Sequence, residues 1–173
     1  MTPLRLVLIG RKLTEDLLFW EQLGRAVKAS PETPMVLLHG PGEVTERTLE
    51  GDGLSVADAG RDPETDAAII AAFRAENRRS VAMLTDAGLP AVGFLGTDRR
   101  MISMDQGLLN VRADLISRTA ASGTIPLLGG LFEDRGLVRI AGLGGMASAW
   151  GRADGAVSIR WLVPRPPREL MSG

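Results

Sequence analysis

Met35-Val-Leu-Leu-His-Gly-Pro-Gly-Glu-Val44 decides how the chain is read. An apolar run stops at a glycine-rich turn, and a helical pattern follows. That order puts backbone N–H groups and a helix N-terminus at the carboxyl end of a buried strand, a place that binds anions without a basic side chain. His39, the chain's one histidine, stands at the turn. The same residues also suit a plain strand-to-helix turn that uses glycine for its dihedral angles. Pro41 removes one N–H from any cradle formed here. His39 is read as a structural hydrogen-bonding residue rather than a base, because no Ser–His–Asp arrangement accompanies it.

Outward from this stretch, apolar runs alternate with helical patterns. Residues 4–9, 35–38, 90–95, 125–128, 137–141 and 156–163 read as strands. Residues 101–104 and 108–111 read as a hairpin around Asp105-Gln-Gly107. Helices are expected from Leu17 to the Ser30-Pro31 stop, with Thr14 as N-cap, and over 43–49, 114–121 and 146–153. A long helix starts at Asp62-Pro63 and ends at Gly88, with a bend or exposed turn at the charged residues 74–79. Leu17, Leu18, Trp20, Leu23, Ala26 and Val27 form the inward face of the first helix. The three tryptophans read as core or interface residues. Alternation of this kind predicts a three-layer α/β/α sandwich with a mainly parallel central sheet. One domain covers 1–164, and 165–173 is a short, frayed tail.

Composition narrows the chemistry. The 173 residues are 45% hydrophobic and carry a net charge of −1, which gives no reason to expect nucleic acid. There is no cysteine and one histidine, so thiol chemistry and a multi-histidine metal site within the chain are excluded, and no metal ligand set is assigned. No apolar run is long enough to span a membrane, and no signal peptide is visible at the start. A cytoplasmic protein that does not engage a membrane is expected.

The order of landmarks resembles the amino-acid kinase superfamily, and most of all N-acetylglutamate kinase. His39-Gly-Pro-Gly42 resembles the His-Gly-Gly-Gly turn that holds the acyl amino acid. Gly60-Arg61 resembles the Gly-Leu-Arg element whose arginine grips the substrate carboxylate, given a small deletion before Asp62. Asn77-Arg78 resembles the Asn-Lys pair. Residues 91–98 resemble the Ala-Val-Gly-Leu-Ser-Gly-X-Asp run, and Gly123-Thr-Ile-Pro126 the Gly-X-Ile-Pro strand entry. Residues 154–163 resemble the strand that closes the amino-terminal lobe. The resemblance implies ligand contacts at His39, Gly40, Pro41, Gly42, Arg61 and Asn77, and pairing of two chains through the helix that contains 67–84, whose apolar face reads first as core.

Three departures cut against catalysis. The family's first strand ends in Lys-X-Gly-Gly, whose lysine neutralises the transferred phosphate; the matching stretch is Leu8-Ile-Gly-Arg11. The family's Asn-X-Asn-Ala-Asp falls on residues 139–143, so Arg139 and Leu143 replace a substrate asparagine and the lysine-organising aspartate. The family's nucleotide lobe follows the strand at 158–163, and here about ten residues remain. A kinase-like lobe without phosphotransfer is therefore expected. It would bind a small carboxylate such as an N-acylated amino acid, in a regulatory or scaffolding role beside arginine- or lysine-pathway enzymes, as a homodimer and with no cofactor of its own. The alternatives are an active amino-acid kinase that takes ATP and magnesium with a partner chain, with Arg11 and Arg139 as replacement cations, and a purely structural oligomer.

Overall fold

A computed structural model describes residues 3–154 and 157–162, with side chains described as far as residue 160. Five strands form the central sheet: β1 (Leu4–Ile9), β2 (Met35–His39), β3 (Ala91–Leu95), β6 (Ile125–Gly129) and β9 (Val157–Leu162). Their order is β3-β6-β2-β1-β9, and every pairing is parallel. Two antiparallel hairpins stand apart from it, β4 (Ile102–Asp105) with β5 (Leu108–Val111), and β7 (Leu131–Asp134) with β8 (Leu137–Ile140).

Successive strand residues face opposite sides of a sheet, and a parallel sheet is covered on both. Leu6, Leu8, Val36, Leu38 and Leu128 pack in one core with Ile116 and Ala120 of α4 (Ala113–Ala121) and Met146 and Trp150 of α5 (Leu143–Ala153). Val7, Ile9, Met35, Leu37 and Leu127 pack in the other, with Trp20 and Leu23 of α1 (Leu17–Ala29) and Leu84 of α3 (Pro63–Asp86). The result is the expected α/β/α sandwich. A third cluster joins Leu49 of α2 (Glu43–Gly51) to Phe73, Leu95, Leu131 and Val138 near the carboxyl ends of the strands.

Four local expectations change. α3 runs unbroken through 74–79, because those residues divide between two faces of one helix. Glu76 and Asn77 turn inward, while Arg78 and Arg79 remain exposed. Asp16, not Thr14, caps α1 by accepting from the Phe19 N–H at 3.2 Å. Thr14 is instead buried; its hydroxyl donates to the Arg11 carbonyl, and its own carbonyl accepts from Trp20 Nε1 at 3.0 Å. Leu17 and Leu18 lie outside the core at 60% and 57% exposure. Strand β7 is an element with no counterpart in the expected strands, and α5 begins at Leu143, three residues before the expected start. The apolar side chains Ile69, Ala72, Phe73 and Leu84 of α3 are core, as their simplest reading has it. Ala156, Val163 and the tail 165–173 lie outside the described residues. Among the described residues no helix is long and apolar enough to cross a membrane.

Candidate functional site

The carboxyl ends of four strands meet in one register, with Ile9 beside His39, and His39 and Leu95 each beside Gly129. A parallel α/β sheet places its ligands at this edge. Two glycine-rich turns lead from it into helices, one at 40–42 into α2 and one at 142–145 into α5. The Gly130 N–H donates to the His39 carbonyl at 2.9 Å, and the Ala141 N–H donates to the Gly130 carbonyl at 2.9 Å. The two turns thus begin on either side of Gly130.

His39 is 1% exposed. Its Nδ1 lies 2.9 Å from the Gly40 carbonyl and its Nε2 lies 3.0 Å from Asn77 Nδ2. A carbonyl can only accept and an amide nitrogen can only donate, so the ring is assigned as the neutral Nδ1–H tautomer. Burial pushes its pKa down from 6.5, against smaller upward pulls from the Gly40 carbonyl and the Glu76 charge. The ring holds the turn together and has no route to solvent for proton transfer. Asn77, 2% exposed, also donates to the Phe94 carbonyl at 3.2 Å and the Leu127 carbonyl at 3.1 Å. It pins α3 to β2, β3 and β6 from within the core.

Glu76 was missed by sequence reasoning. It is fully buried, and its Oε2 accepts from the Thr45 N–H at 2.9 Å and the Thr45 hydroxyl at 3.3 Å. Thr45 is the third residue of α2, so this carboxylate satisfies one of the free donors at the helix N-terminus. Glu43 and Glu46 add two acidic residues to the same turn. A Cβ on Gly42 would stand 2.6 Å from Glu76 Oε1 and 2.6 Å from the Thr14 hydroxyl oxygen. The chain's own carboxylate therefore lies under the turn where an anionic ligand was expected. Its inward register with Ile69, Ala72, Phe73, Asn77, Ser80 and Leu84 is the signal that could have found it, at spacings of three and four.

The α5 turn contrasts with this. Gly142 caps the helix with no side-chain hydrogen bond, and the first turn holds no acidic residue. Cβ atoms at Gly142 or Gly144 would meet nothing within 4 Å, and one at Gly145 would meet only Leu109 at 3.6 Å. Gly142, Gly144 and Gly145 are exposed, so the start of α5 is uncovered, and the Cβ position of Gly40 is equally clear.

The other expected residues lie apart. Arg61 has its donors engaged by Asp58 (3.0 Å), Asp62 (3.1 Å) and the Thr65 hydroxyl (2.9 Å). The cavity it lines, about 520 Å³, also presents Asp52, Asp62 and Glu64 and includes no residue of the His39–Gly42 turn. Asp58 and Asp62 are held below the usual carboxylate range, first by the backbone N–H groups of Ser55 and Thr65 respectively. They stay ionised and repel a second carboxylate. Arg11 pairs with Glu46. Arg139 is exposed on β8, and its guanidinium lies against Gly60. Leu8 is fully buried, and Leu143 packs against the same apolar cluster. Neither can stand in for the lysine or the aspartate. Among the described residues no three His, Cys, Asp or Glu side chains are grouped to hold a metal ion.

No family model and no curated protein matches the chain. Solved structures do. The structure of smu.665 from Streptococcus mutans UA159 superposes with a TM-score of 0.72 at 15% identity, over 94% of this chain and 73% of that one. An isopentenyl phosphate kinase gives 0.61 at 15% identity over 96% and 76%, and the aspartate kinase from Synechocystis gives 0.65 at 14% over 95% and 29%. The chain has an amino-acid kinase-like fold. At these identities the likeness carries the fold and no activity.

Proposed function

We propose that this chain is an amino-acid kinase-like protein that has lost phosphoryl transfer and retains binding of a small carboxylate, such as an N-acylated amino acid, in a regulatory or scaffolding role. The observation that carries the loss is Leu8. It is fully buried at the position where the resemblance requires a phosphate-neutralising lysine. Transfer of a phosphoryl group depends on positioned cations. Arg11, one of the two replacement cations considered, is already paired with Glu46.

Support for binding comes from the exposed first turn of α5, which is tied to the His39 turn through Gly130. Its N–H groups and helix dipole favour a carboxylate, by roughly 0.3–1 kcal/mol for the dipole alone at an exposed site. The seat of the ligand thereby moves from Gly42 and Arg61 towards Gly40 and residues 142–145. A purely structural role is the second reading. It is favoured by Glu76, which already fills the α2 turn, and by the engaged donors of Arg61.

The test is a thermal-shift screen of the whole chain with acylated amino acids and with ATP–magnesium, followed by calorimetry on any hit. Ligand binding to the folded state raises the midpoint by mass action. An acyl amino acid that raises it, with no effect of nucleotide and no ADP formed, supports the proposal. Turnover of ATP by the purified chain overturns the loss of transfer. No midpoint shift with any acyl amino acid leaves the structural reading.

A further inference from the structure

Four non-glycine residues among those described have left-handed backbone, and three are arginines: Arg99 (φ 48°), Arg100 (φ 54°) and Arg135 (φ 52°). Such backbone is disfavoured for a residue with a Cβ and persists only where the surrounding structure enforces it. Arg135 precedes Gly136 in the two-residue connection between β7 and β8, a position where Asn, Asp or Gly is the usual choice. Arg99 and Arg100 lie in the 3-10 turn Asp98–Arg100 that follows β3.

Arg100 and Arg135 line one cavity of about 280 Å³, together with Thr97, Ile102 and Glu133. Among the described residues neither guanidinium has a protein acceptor, and Glu133 has no basic partner. Asp98, the acid next in sequence to these arginines, is already committed. It receives both terminal nitrogens of Arg74, at 2.7 and 2.8 Å, and the Leu95 N–H at 2.8 Å. Those bonds, the Arg74 pair foremost, hold its carboxyl below the usual range. The Thr97 hydroxyl is shut off from solvent and has no hydrogen-bond partner. Two strained, unpaired cations thus share a cavity wall.

We infer that this cavity is an oxyanion site of the phosphate class, separate from the carboxyl-edge turns, in which Arg100 and Arg135 supply the charge. Two guanidinium forks offer more donors than one carboxylate uses, and they match the several oxygens of a phosphate. Ile102 supplies the apolar wall. Glu133 opposes the anion and sets its affinity.

Free phosphate and a phosphate ester share this chemistry, and calorimetry on the full chain at pH 8 separates them. Inorganic phosphate should bind once per chain with a millimolar or tighter constant, with acetate at least tenfold weaker. Tighter binding of glycerol phosphate would identify an ester as the source, and equal or weaker binding would identify free phosphate. Arg100→Gln and Arg135→Gln should each weaken phosphate at least tenfold, and Glu133→Gln should strengthen it. Arg79→Gln, an exposed arginine of α3, should leave it unchanged and controls for net charge. Melting curves confirm that each variant folds. The inference fails if the wild-type chain shows no saturable binding, if acetate binds as well as phosphate, if either cavity variant binds normally, if Glu133→Gln weakens binding, or if Arg79→Gln matches the loss. Shifts with acyl amino acids should survive in Arg100→Gln and Arg135→Gln, so this site and the carboxylate site can fail separately.

Discussion

The α2 and α5 turns are built from the same parts and end in opposite states. Each follows a strand, uses glycine and opens a helix at the carboxyl edge of the sheet. Under the first lies Glu76, whose carboxylate takes the Thr45 N–H. At the second, a Cβ on Gly142 or Gly144 would meet nothing within 4 Å. A glycine turn before a helix is therefore a potential site, and what decides its use is a side chain from elsewhere in the fold, here 31 residues along the chain.

The largest expected effect comes from removing that side chain. Glu76→Ala leaves the Thr45 donors without their acceptor in a fully buried place and opens a cavity beside Gly42. The two costs together are roughly 2–4 kcal/mol. Chemical denaturation should show that loss as a lower midpoint with an unchanged slope. Stability equal to wild type would mean the contact with Thr45 contributes nothing, and the contrast between the turns would collapse.

Gly42→Ala should cost about 1–3 kcal/mol by the same assay, because its methyl group would stand 2.6 Å from both Glu76 Oε1 and the Thr14 hydroxyl oxygen. Glu76 is anchored at Thr45, and Thr14 is anchored at Arg11, so neither yields without losing a bond. In the double variant Gly42→Ala with Glu76→Ala the two costs should fall well short of additive, since the second change makes room for the first.

The same contrast marks which parts of the fold are legible in the sequence. The apolar runs at 4–9, 35–38 and 125–128 carry their own signal, because each is buried on both faces, while 90–95 becomes the half-buried edge strand β3. The α5 start and β7 were harder, since glycines and a short mixed segment show no period. The site was legible as a turn and illegible as an environment. Arg61 gave no sign of the acids that surround it, because Asp58 and Asp62 reach it only through the local caps they make. Glu76 could be read from its register with Phe73 and Ser80. Within the charged stretch 74–79 it looked instead like an interruption.

His39 permits a third probe, and its single occurrence makes the titration clean. Burial holds the folded pKa below the ordinary 6.5. The unfolded chain therefore takes up the proton first as pH falls. Stability is fully present above 6.5, declines as pH passes below it, and levels off beneath the folded pKa, at no more than about 1.4 kcal/mol per pH unit. Asp58, Asp62 and Asp98 are also depressed, but from 3.8, so their loss comes at lower pH. Denaturation midpoints that stay flat from pH 7 to 5, or an imidazole proton signal that titrates normally at 6.5, would show that the α2 turn is open to water after all.

The smallest effect has the opposite sign and tests the other turn. Gly144 lies in the first turn of α5, exposed and with nothing where a Cβ would stand. Alanine there restricts the unfolded chain and favours the helix, so Gly144→Ala should stabilise the free protein by about 0.5–1 kcal/mol. A protein with no use for that turn loses nothing by the exchange. If a carboxylate sits on these N–H groups, the added methyl group intrudes on its approach, and the midpoint shift produced by an acyl amino acid should shrink even as the unliganded midpoint rises. Stabilisation with an undiminished ligand shift would place the ligand elsewhere. Stabilisation bought at the expense of binding would give a physical reason for a glycine that the helix itself does not require.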